Sequence, residues 1–169
     1  MANAAVNAQS RPADAATERP NLEQPNLEQP SLTLTRRLRA PPEKVYAAWT
    51  QAAQLAQWFG PPNMKPATLS AELDVRTGCR FRISFTRDDG EYFEAGGSYR
   101  EVVPNERLVF TWAWHSTPER ESLVTITFKP DSEGTLMIFH HAQFFDETAR
   151  DNHQRGWSSF FDKLDAFVA

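Results

Sequence analysis

The stretch DETARDNHQRGWSSFFDKLDAFV, Asp146 to Val168, decides the fold. From Trp157 onward the apolar residues Trp157, Phe160, Phe161, Leu164 and Val168 recur at the spacing of one α-helical face. His153, four residues before Trp157, joins that face. Gly156 stands mid-helix, where glycine costs roughly 1 kcal/mol relative to Ala. Such a position calls for close backbone approach or for open room beside Trp157. A helix this long and this aromatic needs a broad concave partner.

The preceding chain supplies strands for that partner. Leu32, Leu34 and Leu38 alternate with polar residues up to Arg39, the pattern of a half-buried strand, and Pro41-Pro42 ends it. Pro42 suits the first turn of a short helix carrying Val45, Tyr46 and Trp49, and a second short helix runs from about Gln51 to Trp58. Strand signals follow at Thr68 to Leu73 and at Phe81, Ile83 and Phe85, then a hairpin turn at Asp89-Gly90. Glu91 to Val103 reads as a longer strand with a bulge expected at Gly96-Gly97. Three more strands are carried by Leu108 to His115, by Val124, Ile126 and Phe128, and by Thr135 to His141. The order is strand, two short helices, six strands, long helix. Neighbouring antiparallel strands with one segregated helix make an α+β layer architecture.

The chain has 169 residues, 40% hydrophobic and 12% aromatic, enough for one domain plus an extension. A net charge of −4 lacks the basic footprint of a nucleic-acid binder. No apolar run is long enough for a membrane span or a signal segment. Cys79 is the single cysteine, which rules out an internal disulfide and fits a reducing cytoplasm. Residues 1–31 contain no Phe, Trp, Tyr or Gly and repeat Asn-Leu-Glu-Gln-Pro twice, at 21–25 and 26–30. A segment so poor in apolar bulk does not offset its ordering entropy, so 1–31 is expected to be a disordered extension and 32–169 the folded domain.

Several motifs, taken in order, carry a resemblance. They begin with Arg36-x-Leu38-x-Ala40-Pro41-Pro42-Glu43-x-Val45-Tyr46, Trp49-Thr50 and Gln57-Trp58-Phe59-Gly60-Pro61. They continue through Asp74-Val75-Arg76-x-Gly78, Gly97-x-Tyr99-x-Glu101-Val102-Val103-Pro104 and Glu106 to Trp112. They close with Val124 to Phe128, Gly134-Thr135, His141, Gly156-Trp157 and Leu164. Together they resemble the START/Bet v 1-like (SRPBCC) superfamily. Within it, they look like the bacterial branch related to the C-terminal domain of the activator of the ninety-kilodalton heat-shock protein ATPase. The resemblance implies a helix-grip fold: a curved antiparallel sheet wrapped around a long C-terminal helix, two short helices after the first strand, and a cavity between sheet and helix. Where the family pattern has two adjacent glycines, this chain has Gly78-Cys79. The eukaryotic activator also has a separate N-terminal chaperone-binding domain, whereas the extension here is short and expected to be disordered, so a chaperone is only a possible partner.

The candidate site follows from the aromatics. Trp112, Trp157 and Phe160 are expected to line the cavity, with Trp58 or Phe59 near its mouth, and with Trp114, His141 and His153 also against it. Glu101 shares the parity of Tyr99 and Val103 and is a possible polar anchor, as is Arg82 if a bulge reverses its facing. In the family register His141 faces the cavity and His140 faces out. The four histidines lack the convergent spacing of a zinc site, so no metal or cofactor is assigned. No Gly-x-Ser-x-Gly elbow is present, and no catalytic set is assigned. The expected function is binding of a small hydrophobic or aromatic molecule by a monomer or homodimer. The alternatives are a polyketide cyclase or lyase-like enzyme and a chaperone co-factor.

Overall fold

The computed structural model describes residues 29–169. The expectation of disorder falls almost wholly on residues 1–28, outside the described residues. Just before the first strand, the Pro30 carbonyl accepts the Phe144 N–H at 3.1 Å.

Seven strands and three helices follow in the expected order: β1 (Leu32–Leu38), α1 (Pro42–Thr50), α2 (Ala52–Trp58), β2 (Ser70–Leu73), β3 (Arg80–Thr86), β4 (Tyr92–Val103), β5 (Arg107–Trp114), β6 (Ser122–Asp131), β7 (Gly134–Ala142) and α3 (Glu147–Val168). The strands form one antiparallel sheet in the order β1-β7-β6-β5-β4-β3-β2. Strands β2 to β7 make a meander, and β1 returns to pair with β7. This is an α+β helix-grip architecture, the sheet curving around α3.

One face of the sheet carries Phe81, Ile83, Phe85, Tyr99, Leu108, Phe110, Trp112, Val124, Ile126, Phe128, Met137 and Phe139, all buried. Against it pack Val45, Trp49, Leu55 and Trp58 from the short helices, and Trp157, Phe161, Leu164 and Val168 from α3. The bulge in β4 lies elsewhere than expected. Pairing with β5 stays in one register through Gly96 and Tyr99 and shifts by one residue between Tyr99 and Glu101. Gly96-Gly97 instead permits close strand approach: a Cβ on Gly97 would lie 1.9 Å from the Thr111 carbonyl oxygen.

The helix α3 is held at its two ends by different means. Asp146 caps the N-terminus, its Oδ1 accepting the Ala149 N–H at 2.7 Å. Toward the other end Arg36 of β1 donates to Asp162 at 3.1 Å and to the Ser158 carbonyl at 3.2 Å, and Lys44 donates to the Val168 carbonyl. The backbone of α3 lies close to β1, α1 and α2. No side chain from Glu147 to Gly156 is buried, so the first turns of the helix overhang the sheet.

Candidate functional site

That overhang creates a cleft of about 590 Å³ between the N-terminal half of α3 and the ends of β4 and β5. One side of it is aromatic, and polar loop and helix residues such as Arg87, Thr117, Asp146 and Asn152 form the other. Phe93 of β4 meets Trp114 of β5 edge-on at 5.9 Å between ring centroids, and Trp114 meets Trp112 at 5.5 Å. Trp112 lies 5.1 Å from Trp157, and Trp157 lies 5.6 Å from Phe160. Gly156 opens this wall. A Cβ there would meet nothing within 4 Å, so the glycine serves no close backbone approach and leaves room in the cleft.

Behind the rings lie two histidines held in opposite tautomers. The Trp157 indole N–H donates to His141 Nδ1 at 3.1 Å, so His141 carries its proton on Nε2, 2.7 Å from Ser122 Oγ. Ser122 in turn donates to the Trp112 carbonyl at 3.1 Å. The Trp114 indole N–H donates to His153 Nε2 at 2.9 Å, so His153 carries its proton on Nδ1, 2.7 Å from the Ala149 carbonyl. The two imidazoles are 5.3 Å apart. Burial pushes the His141 pKa well below the usual imidazole value, with His153 and His140 adding repulsion. Burial also lowers His153, partly opposed by its bond to the Ala149 carbonyl. Both nitrogens of both rings are engaged within the protein, so neither ring presents an open lone pair to the cleft.

The candidate residues divide as follows. Trp112, Trp114, His153, Trp157 and Phe160 meet at the cleft. His141 is fully buried behind Ser122 and does not reach it. Trp58 and Phe59 are core residues, 0% and 1% exposed, rather than residues of the mouth. Trp58 donates its indole N–H to the Ala48 carbonyl at 3.0 Å and packs on Trp49, while Phe59 packs under Phe160 and Trp157. Glu101 is exposed and paired with Arg107 at 3.1 Å, because the bulge after Tyr99 turns it away from the core and Val102 inward instead. Arg82 keeps the outward facing of its strand and pairs with Glu72 and Glu94. His140 faces out and bonds Thr33, and His115 lies 3.4 Å from Glu94. Among the described residues, no three His, Cys, Asp or Glu side chains converge as metal ligands would.

Loop residues complete the cleft and were not singled out from sequence. Arg87 stacks 4.6 Å from the Phe93 centroid, and Arg120 stacks 3.9 Å from that of Phe145. The adjacent pair Phe144-Phe145 was the available signal: two rings between a strand and a helix cap, one of which packs on His141 while the other stands 59% exposed.

Comparison with known proteins agrees with this architecture. The family model described as "Activator of Hsp90 ATPase homolog 1-like protein" matches residues 39–169. A solved protein from Chromobacterium violaceum is 30% identical with a TM-score of 0.75, over 82% of this chain and 96% of that one. The AHSA1 protein from Silicibacter pomeroyi is 29% identical with a TM-score of 0.70, over 81% and 96%. The AHSA1-like protein from Aeromonas hydrophila, at 20% identity, shares the fold with a TM-score of 0.71 over 82% and 92%. No curated protein matches the chain. The family model spans the whole helix-grip domain after β1, and the chain belongs to the Activator of Hsp90 ATPase homolog 1-like family, within the SRPBCC superfamily.

Proposed function

We propose that this protein binds a small hydrophobic or aromatic molecule in the cleft between α3 and the sheet. The observation that carries the reading is the coincidence of volume and lining. About 590 Å³ is bounded on one side by Phe93, Trp112, Trp114, Trp157 and Phe160, with Gly156 leaving space beside them. Ligand pockets of roughly 300–1,000 Å³ with mostly apolar walls and few polar groups bury most of a small molecule's surface. An affinity in the micromolar range, about −8 kcal/mol, suits such a site.

Binding without catalysis is favoured over a cyclase-like reaction by the hydrogen bonding of the histidines. A general base needs a lone pair directed at its substrate, and the indoles of Trp157 and Trp114 occupy those of His141 and His153. The family description gives a second reading, a chaperone co-factor acting through its surface. A cytoplasmic location accords with the single, unpaired Cys79. Native mass spectrometry of freshly purified protein distinguishes the readings. A retained small molecule, lost in a Phe160→Ala variant that still folds, supports binding. A bare chain that copurifies with the chaperone supports the surface reading.

A further inference from the structure

The polar groups around the cleft are largely committed to one another. Arg87 pairs with Glu91 and lies 3.7 Å from Asp89. Asp146 Oδ1 accepts from the N-terminus of α3, and Asn152 Oδ1 accepts from Arg155. Ser122 and His153 have both their donor and acceptor functions filled. Among the described residues, the Trp112 indole N–H and the Arg87 Nε–H are buried there without a partner, and Arg120 is the lining cation without an ion pair. It sits in the β5–β6 connection, its backbone N–H fixed to the Thr117 carbonyl at 3.0 Å. Its guanidinium has no ion pair or hydrogen bond among the described residues and rests on the exposed ring of Phe145, across the mouth of the cleft. The unspent capacity of this cleft is therefore all on the donor side among its buried groups, with one unpaired planar cation beside an aromatic ring.

We propose that the cleft takes an amphipathic carboxylate: an aromatic or short acyl acid whose apolar body lies on Phe93, Trp114, Trp157 and Phe160 and whose carboxylate pairs with Arg120. This deepens the binding function proposed above and rests on it. A guanidinium fork matches the two oxygens of a carboxylate bidentately. The Phe145 ring centroid lies 3.9 Å from the guanidinium carbon, and this contact lowers the ordering cost of pairing with a carboxylate. The polarity follows from the same layout: the rings of Phe93, Trp114, Trp157 and Phe160 take the apolar body, and the unpaired positive charge of Arg120 takes the carboxylate.

The test compares naphthoate with its methyl ester by fluorescence titration of the whole protein, alongside Arg120→Gln and a control variant, Arg39→Gln. Arg39 is exposed and lines no part of this cleft, so its loss lowers the net charge equally without touching the site. The expected result is that naphthoate binds the parent protein about tenfold more tightly than the ester, the scale of one partly exposed charge-assisted contact. Arg120→Gln should reduce that preference to within about twofold while ester affinity stays unchanged, and Arg39→Gln should retain it. Equal binding of acid and ester would overturn the carboxylate assignment and leave the cleft as a neutral apolar site. A preference that survives Arg120→Gln would overturn the role of Arg120. No saturable binding of either probe would overturn both this inference and the binding function.

Discussion

Replacing Trp157 tests the packing on which the cleft depends. The side chain is 2% exposed and lies within 4.7–6.2 Å, centroid to centroid, of Phe139, Trp112, Phe160, Phe59, Phe161, Trp49 and His141. Truncating a core aromatic to Ala costs about 3–5 kcal/mol. Trp157→Ala also removes the donor to His141 Nδ1, and a buried acceptor left alone costs about 1–3 kcal/mol. The two effects share one site and do not simply add, so the expected loss is about 4–5 kcal/mol. Trp157→Phe separates them. It keeps most of the ring contact and loses the N–H, for an expected cost of about 1–3 kcal/mol. Urea unfolding followed by far-ultraviolet circular dichroism reads both as midpoint shifts at constant slope. A loss under about 1 kcal/mol for Trp157→Ala would place this ring on an open wall and refute the packing argument.

Other perturbations have distinct signatures. Gly156→Ala should raise stability by about 0.5–1 kcal/mol, since the new Cβ meets nothing within 4 Å; it should also weaken binding of bulky probes, and a fall in thermal midpoint would contradict the open geometry. Acid should destabilise the fold through the histidines. Their pKa values are lowered on folding, so the unfolded chain takes up protons first. Their contribution is complete above the ordinary value of 6.5 and is lost as pH falls below it toward the lowered values. Unfolding free energies from urea titrations should fall between about pH 7.5 and pH 5.5, by at most about 1.4 kcal/mol per pH unit for each histidine, and a flat profile would mean that both take up protons as readily in the native state as in the unfolded chain. Glu101→Gln should change stability by less than about 1 kcal/mol and leave probe affinity unaltered, because its carboxylate pairs with Arg107 on the outer surface; weakened binding in a titration would return Glu101 to the cavity.

Much of this architecture is legible in local periodicity. The face from Trp157 to Val168 and the alternation at Phe81, Ile83 and Phe85 each arise from burial on one side of a single element, which spacing records directly. Glu101 was misplaced because one bulged residue reverses the facing of everything after it, and glycines were a poor guide to where that residue falls. Trp58 and Phe59 are adjacent and both buried because α2 ends between them: one ring faces α1 and the next, on extended backbone, faces the sheet and α3. The pairs Trp114–His153 and Trp157–His141 join residues 39 and 16 positions apart, and nothing local specifies them. Arg120 and Phe145 lie on loops, whose spatial meeting is set by the strands they connect.

The central claim is that binding occurs in the cleft between α3 and the sheet. Nitrogen–proton correlation spectra of the protein titrated with naphthoate test it most directly. The account predicts saturable shifts of the Trp114 and Trp157 indole signals and of the Gly156 amide, which border the cleft. The Trp58 indole, bonded to the Ala48 carbonyl in the core, should stay in place as an internal reference. Shifts concentrated instead on Arg82, Ser98 and Ala113, across the outer groove of the sheet, or no saturable shift at all, would contradict it.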